Sequence, residues 1–367
     1  MSIIRVNEVD LNDAGNASVQ IANSWNVALV TSSVIRLEAR TDGSVVVPGA
    51  LTANSMNVSG ALTASAIIPP SSFLRNRIIN GAMHIWQRGT SFSSGYTADR
   101  WYHSYGDSPT FARSTDTPSA AFPFSMSVSG SNFVTLAQRI ESVNSYDLVG
   151  QPVTVSFWVK QTSGAGTNSI GVQIFFPTAT DNYTSVTGTT NNFITATSGW
   201  TYVTTTFSAG TLISQAANGI ALSIFANIAG SSTFLVTGIQ LEVGSIATPF
   251  ERRQYGQELA LCQRYYYNGG TLPGAAVGLG AGPIYATGPS GAQTYVGFYP
   301  VTMRASPTVT VYDAAGTSGR ISYYTSFWNN GGTIANLAGL LPQTFFIQVN
   351  IAGSNYISGQ YQASAEL

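Results

Sequence analysis

Short runs of alternating apolar and polar residues recur along most of the chain and predict a protein made chiefly of β-strands. Within QPVTVSFWVKQTSG (151–164), every second residue from Val153 to Val159 is apolar, while the other face carries Thr154, Ser156, Trp158 and Lys160. The runs IGVQIFF, WTYVTTTF, GIALSIFANI and STFLVTGIQLEVG continue this pattern. Because no helical pattern separates them, we expect an antiparallel jelly-roll sandwich over residues 75–250.

Two further alternating runs, VALVTSSVIRLEAR and SVVVP, flank Asp42-Gly43 near the start of the chain. Asp-Gly between such runs is a strong signal for a β-hairpin. We therefore expect an N-terminal β-hairpin within residues 1–47.

The sequence GALTA occurs at 49–53 and again at 60–64, within a stretch that has no charged side chain from Gly43 to Leu74. Its apolar residues fall largely into period-two positions, so each copy offers one narrow apolar stripe. Such a stripe cannot bury itself; it either meets the same stripe in symmetry-related chains or belongs to a flexible linker. We expect an interchain β-shaft over residues 48–74 in a homotrimer, with a linker as the alternative.

One helix is predicted at 254–266, within a connecting segment of residues 251–268. Its apolar stripe steps by four, three and four residues through Tyr255, Leu259, Cys262 and Tyr266. Beyond it, TYVGFYPV, TVTVYDA, GRISYYTSFW and TFFIQVNIAG predict a second, smaller β-rich domain over residues 269–367.

Charged residues are scarce, at 8% of the chain compared with about 25% in typical soluble domains. The net charge is -1, and no basic cluster is longer than Arg252-Arg253. This pattern argues against nucleic acid and acidic membranes as partners. The sequence shows no secretion signal, no apolar run long enough for a membrane span, and only one cysteine, so we expect assembly in a reducing cytosol.

Candidate catalytic motifs all have simpler interpretations as loops or packing residues. Gly106-Asp107-Ser108 could be the nucleophile of an esterase, but both histidines, His84 and His103, precede the serine, whereas such an enzyme needs a later histidine. Two isolated histidines do not make a transition-metal site. GLGAG at 278–282 is followed by Pro283 rather than by a helix, so it does not form a phosphate-binding loop.

The acidic residues between 75 and 250 are few, and none lies in a recognisable acid/base pair, so we expect no catalytic residues and no enzyme activity. Aromatic faces and neutral polar groups are abundant instead, and these are the groups that bind sugars. Trp158 and Lys160, on the polar face of their strand, are the candidates in the sandwich, although Trp158 could equally pack against a neighbouring domain or chain.

A second candidate site lies in the C-terminal region, where SFWNNGG (326–332) follows the strand ISYYT. Because another β-run follows it, Trp328 is expected on a hairpin loop. Loops on rigid β-scaffolds often carry binding residues, so this loop is a candidate for receptor contact. A subunit interface is the competing interpretation. The expected contact residues are Tyr323, Tyr324, Trp328, Asn329 and Asn330. Trp86 and Trp101, by contrast, lie among apolar residues and are expected in the core.

The stretches LRNRIINGAMHIWQRGTSFSSGYTADRW (74–101) and IQLEVGSIATPFERRQYGQELALCQRYYY (239–267) resemble bacteriophage tail fibres and related virion structural proteins. In that family these two stretches bracket a jelly roll similar to a carbohydrate-binding module. The resemblance implies a homotrimer that docks on other tail or baseplate proteins through residues 1–47 and binds a host surface glycan with a C-terminal tip.

The same resemblance implies location in the virion tail after assembly in the host cytoplasm, and no cofactor. A structural Ca²⁺ is compatible with such a jelly roll, but no ligand set stands out in the sequence. A virion-associated glycan hydrolase and a purely structural virion protein are the alternative functions.

Overall fold

The computed structural model describes most of the chain from residue 75 onward and three short strands before it. The described ranges are 27–31, 34–39, 45–46, 75–103, 109–164, 169–189, 192–211, 214–270, 283–289 and 291–367. The chain divides into two compact units, Met1–Ile68 and Pro69–Leu367.

The smaller unit contains a three-stranded antiparallel sheet. Its strands are β1 (Val27–Thr31), β2 (Val34–Ala39) and β3 (Val45–Val46). Glu38 of β2 lies opposite Val46 of β3, so the runs on either side of Asp42-Gly43 pair as predicted and the hairpin is confirmed. The GALTA copies, and the shaft predicted from them, lie outside the described residues.

The larger unit begins with a nine-stranded sheet that curls into a sandwich, and the jelly-roll prediction is confirmed. The strands are β4 (Ser91–Phe92), β5 (Thr110–Ser114), β6 (Ser125–Ile140), β7 (Val153–Ser163), β8 (Ser169–Ala179), β9 (Asn182–Gly188), β10 (Asn192–Thr195), β11 (Thr201–Phe207) and β12 (Ile220–Val243). Short 3₁₀ turns connect some of them, at Ser142–Asn144, Tyr146–Leu148, Ala209–Thr211 and Ser214–Asn218.

The long strand β12 organises this sandwich because it pairs with different strands in its two halves. One edge pairs with β6 along most of its length, while the other edge pairs first with β8 and then with β7. The register shifts between Thr237 and Gln240, where Gly238 has a φ of +66°. A left-handed residue at this position accommodates an irregularity within the half of β12 that pairs with β7.

The sandwich core follows from the alternating pattern of the strands. Its buried members on β7 and β8 are Val153, Val155, Phe157, Val159, Ile170, Val172, Ile174 and Phe176. Trp101 is fully buried in this core and its indole nitrogen donates to the carbonyl of Asn80 at 3.0 Å. Trp86 packs against the same core, so both tryptophans occupy the positions expected of them.

The predicted helix is present but shorter, with α1 covering Tyr255–Gln263. Cys262 is buried, whereas Tyr255 is exposed, so only part of the predicted stripe faces the protein. Tyr266 does not extend the helix, because its backbone pairs with Ser364 of the last strand. Pairing with a distant strand thus ends the helix earlier than the local pattern predicts.

A second antiparallel sheet of eight strands follows, and it confirms the predicted C-terminal β-rich region. The strands are β13 (Tyr266–Asn268), β14 (Ile284–Thr287), β15 (Gln293–Phe298), β16 (Thr308–Tyr312), β17 (Arg320–Tyr324), β18 (Trp328–Ala338), β19 (Thr344–Val349) and β20 (Tyr356–Ser364). β20 is central and pairs with β13, β14, β16 and β17. Its own core includes Ile284, Ile321, Phe345, Ile347, Ile357 and Tyr361.

Buried charges join the second sheet to the sandwich. Arg88 donates to the Glu366 carboxylate at 2.8 Å, and the fully buried Arg100 donates to the same carboxylate. The guanidinium carbon of Arg88 also lies 3.6 Å from the ring centroid of Tyr266, and that of Arg100 lies 3.4 Å from the centroid of Tyr265. The boundaries predicted from the sequence for the five segments, 1–47, 48–74, 75–250, 251–268 and 269–367, stay predictions.

Candidate functional site

Four aromatic side chains form a row across adjacent strands of the second sheet, and we call them the aromatic row. They are Trp328 on β18, Tyr324 on β17, Tyr356 on β20 and Tyr285 on β14. Tyr324 lies directly opposite both Trp328 and Tyr356 in the pairing register. Tyr356 lies opposite Thr287, two residues from Tyr285 on the same face. Residues opposite each other in a ladder share a face, so the four rings project to one side.

The rings of the aromatic row are in sequential contact. The centroids of Trp328 and Tyr324 are 5.6 Å apart, and those of Tyr324 and Tyr356 are 5.8 Å apart, both in edge-to-face geometry. Tyr356 and Tyr285 are 6.2 Å apart with an interplanar angle of 28°. These distances are within the range for favourable aromatic pairs, so the rings support one another as a preformed surface.

The aromatic row is open to solvent along much of its length. Tyr285 is 50% exposed, Tyr356 is 36% exposed, and Tyr324 and Trp328 are partly exposed. Phe327, next to Trp328 in the chain, is 65% exposed. A contiguous exposed aromatic surface on a rigid sheet is typical of a binding site.

Neutral polar groups lie beside the rings on the same face. The Ser322 hydroxyl accepts from the Ala314 amide at 2.8 Å and donates to Oδ1 of Asn330 at 2.7 Å. Ser358, opposite Tyr285 and Ser322, is buried, and its hydroxyl has no hydrogen-bond partner in the described part of the chain.

The charged side chains of this part of the sheet are already bonded to protein groups. Arg320 donates to Oγ1 of Thr333 at 2.9 Å. The carboxylate of Asp313 accepts from the backbone amides of Ala315, Thr317 and Gly331. The chemistry of the row is therefore aromatic and neutral.

The structure brings together only part of the site predicted in this region. Tyr324 and Trp328 belong to the aromatic row, and Asn330, two residues from Trp328 on β18, lies beside it. Trp328 begins β18 instead of lying on the loop, because its backbone pairs with Tyr324; the turn is made by residues 325–327.

The other two predicted residues have structural contacts. Tyr323 points to the opposite face and packs against the core of the second sheet. Nδ2 of Asn329 donates to the carbonyl of Phe327 at 3.0 Å and to Oγ1 of Thr325 at 3.3 Å, which fixes the turn.

Tyr285 and Tyr356 were missed by sequence reasoning. Each lies in a short alternating run, IYAT and YISGQYQAS, but nothing local in either run indicates that the two tyrosines meet Tyr324. Only the pairing of β20 with both β14 and β17 places them beside it.

Trp158 of the sandwich lines an open groove of about 480 Å³, which we call the Trp158 groove. Its ring centroid is 5.1 Å from that of Tyr202 on the neighbouring strand β11. The polar face of β7 is otherwise covered: Thr154 and Ser156 are buried, and Thr154 bonds to the carbonyl of Gly244 at 2.8 Å.

Lys160 is engaged in a pair with Asp116 rather than free for a ligand. Its ammonium lies 2.7 Å from Oδ2 of Asp116, and the indole nitrogen of Trp200 donates to Oδ1 of the same carboxylate at 2.9 Å. These two hydrogen bonds, from Lys160 first and then Trp200, lower the pKa of Asp116. Lys160 therefore already has a carboxylate partner on the protein surface.

A smaller hollow of about 170 Å³ lies on another face of the sandwich, between Tyr102, Phe175 and Tyr183. Arg139 lines it, but the guanidinium already donates to the hydroxyl of Tyr102 at 3.0 Å and to the carbonyl of Leu367. The cation in this hollow thus has a structural role.

The other candidate catalytic and ligand-binding motifs do not form a site among the described residues. Gly106-Asp107-Ser108 and GLGAG at 278–282 lie outside them. His84 packs against the ring of Tyr255 at 4.9 Å, and burial, followed by the nearby charge of Arg252, lowers its pKa. Nδ1 of His103 lies 3.1 Å from the carbonyl of Thr135.

Neither a metal site nor a membrane-spanning helix is found in the part of the chain that the structure describes. No group of three or more His, Cys, Asp and Glu side chains there could hold a metal ion. No helix there has the length and apolar character needed to cross a bilayer.

Comparisons with known proteins give only distant structural similarities. No family model and no curated protein matches the sequence. Among solved structures, a putative sugar binding protein from Bacteroides thetaiotaomicron is 16% identical, with a TM-score of 0.34, covering 46% of this chain and 100% of that one. A xylan-binding CBM22 domain from Paenibacillus barcinonensis is 15% identical, with a TM-score of 0.30, covering 43% of this chain and 94% of that one.

A tailspike domain also appears among these similarities. The enzymatically active domain of tailspike protein 4 from bacteriophage CBA120 is 14% identical, with a TM-score of 0.31, and the match covers 46% of this chain and 21% of that one. The resemblance of the two end motifs to phage tail fibres stays a prediction.

Proposed function

We propose that the protein binds a glycan non-covalently through the aromatic row and that it serves as the receptor-binding part of a phage tail fibre. The observation that carries the glycan-binding proposal is the row itself: two exposed and two partly exposed rings in mutual contact on one face of a sheet. Aromatic faces pack against the C–H faces of pyranose rings, and neighbouring hydroxyl and amide groups exchange hydrogen bonds with sugar hydroxyls.

The composition of the row favours a neutral saccharide. Its members are tyrosines and a tryptophan, and its exposed polar neighbour is Asn330, which is held in place by the buried Ser322 hydroxyl. Because stacking requires no net charge on the ligand, binding should depend little on ionic strength. Sites of this kind are individually weak, and several copies on one particle can raise avidity by about 10² to 10⁴.

A binding measurement on single-ring variants tests this proposal. Purified surface polysaccharide of a susceptible bacterium is titrated into wild-type protein and into Tyr324→Ala and Trp328→Ala, with isothermal calorimetry as the readout. Each removed ring should cost about 1 kcal/mol or more of binding free energy, which is at least a several-fold loss of affinity.

Tyr146→Ala is the matched control, because Tyr146 is a strongly exposed tyrosine of the sandwich that lies outside the row. It should bind like wild type. Unchanged affinity in both row variants would contradict the site, and release of reducing ends from the polysaccharide would indicate a hydrolase instead of an adhesin.

A further inference from the structure

The Trp158 groove has a composition different from that of the aromatic row. Its lining includes four aromatic residues, Phe122, Trp158, Tyr202 and Phe250, together with Arg252, Ala121 and residues 247–249. Phe122 and Phe250 are in contact, with centroids 5.3 Å apart. A volume of about 480 Å³ lies within the range of small-molecule sites, roughly 300–1,000 Å³.

Gly238 sets the depth of the groove beneath Trp158. A Cβ at this position would lie 2.7 Å from Cε1 of Phe122 and 3.1 Å from Cδ1 of Trp158. These distances are too short for a side chain to fit without moving the rings. The absence of a side chain therefore lets Phe122 and Trp158 approach the strand and leaves room above them.

Arg252 is the only charged residue in the groove lining. It is exposed, and within the described part of the chain it makes no hydrogen bond or salt bridge. Its neighbour Arg253 shows the contrast: it donates to the carbonyl of Ile78 at 2.9 Å and pairs with Glu258 at 3.3 Å. No acidic residue lines the groove, so a bound carboxylate would not meet a negatively charged side chain there.

We propose that the Trp158 groove is a second saccharide site and that its ligand is an acidic glycan containing uronic acid residues. The sugar ring would pack against Trp158 and Tyr202, and its carboxylate would accept hydrogen bonds from Arg252. A planar guanidinium matches a carboxylate in two parallel hydrogen bonds, which an amide side chain cannot reproduce. This inference adds a site and a ligand class to the proposed glycan binding, and it does not depend on the aromatic row.

Two oligosaccharides of equal length, oligogalacturonate and neutral oligogalactose, test the ligand class by calorimetry on the full chain. Oligogalacturonate should bind at least tenfold more tightly, and its affinity should fall as salt is raised. Arg252→Gln should remove most of that preference, while Arg252→Lys should keep part of it. Arg320→Gln, which alters an arginine of the second sheet, should behave like wild type.

Trp158→Ala should lower the affinity of the groove for both oligosaccharides, because it removes the stacking surface. Arg252 is exposed, so its variants should fold normally, and thermal melting checks this. Equal binding of the two oligosaccharides by Tyr324→Ala, in which the aromatic row is disrupted, or unchanged uronate affinity in Arg252→Gln, would overturn the inference.

Variants of the row separate the two proposals. If Tyr324→Ala loses neutral polysaccharide but retains oligogalacturonate, both sites stand. If Arg252→Gln leaves the affinity for oligogalacturonate unchanged while Tyr324→Ala weakens the binding of polysaccharide, the aromatic row stands and the second site fails.

Discussion

The carboxylate of Glu366 pairs with two guanidinium groups, those of Arg88 and Arg100, and all three side chains are largely buried. Burying charges is costly, but once they are buried the loss of one partner leaves the others unpaired. Glu366 lies just beyond β20, and both arginines belong to the sandwich part. These ion pairs therefore hold the second sheet against the sandwich.

Glu366→Gln should destabilise the protein by about 3–5 kcal/mol, because Arg100 would keep its charge without a carboxylate. Chemical denaturation followed by tryptophan fluorescence measures this change. Asp147→Asn is the control, since the pair between Arg77 and Asp147 is more exposed and should contribute at most about 1 kcal/mol. Equal effects of the two variants would contradict a special role for Glu366.

Gly238 is a second residue whose role depends on its surroundings. Its positive φ and its closeness to Phe122 and Trp158 both exclude a side chain. Gly238→Ala should cost about 1–3 kcal/mol of stability through backbone strain and displacement of the rings. Gly244→Ala, also at positive φ but with open space around it, separates backbone strain from the steric effect. A melting temperature lowered equally in both would mean that strain alone accounts for the loss.

Among the elements, β20 does the most to create the candidate site. It contributes Tyr356 to the aromatic row and, on its other face, Ile357 and Tyr361 to the core. Strands that alternate in this way need only the correct register to place a ring on the surface and an aliphatic chain beneath it. The same alternation was visible in the sequence, but the partner strands were not.

Tyr356 stands between two rings of the row, whereas Tyr285 contacts only one. Tyr356→Ala should therefore reduce polysaccharide affinity more than Tyr285→Ala, because it also removes the support of Tyr324. Calorimetric titration of the two variants side by side measures the order. A larger loss in Tyr285→Ala would indicate that the ligand binds at the end of the row and not across it.

At the scale of the whole molecule, the proposed fibre requires that three chains associate. The apolar stripes of the GALTA copies predict this, since a narrow stripe has no partner within its own chain. Light scattering on the full chain should give the mass of a trimer, and deletion of residues 1–74 should give a monomer. A trimer that survives the deletion would place the association in the larger unit, and a monomeric full chain would favour the linker alternative.

By itself, the sequence determined the fold class and the main elements of this protein. Alternation with period two, scarce charge and abundant turn residues are local properties, so they predicted the hairpin, the jelly roll, the C-terminal sheet and the short helix. It also indicated aromatic, uncharged chemistry, and it identified Tyr324, Trp328 and Trp158 as candidates. These conclusions need no knowledge of which strands are neighbours.

Only the tertiary structure decided how the candidate sites are composed. Tyr285 and Tyr356 join the row, and Tyr323 leaves it, because strand pairing and register choose the face of each residue. Tyr202, Phe250 and Arg252 meet Trp158 for a similar reason: segments far apart in the chain cross the same face of the sandwich. Contacts between distant segments depend on the free energy of the whole packed chain, and no local pattern encodes them.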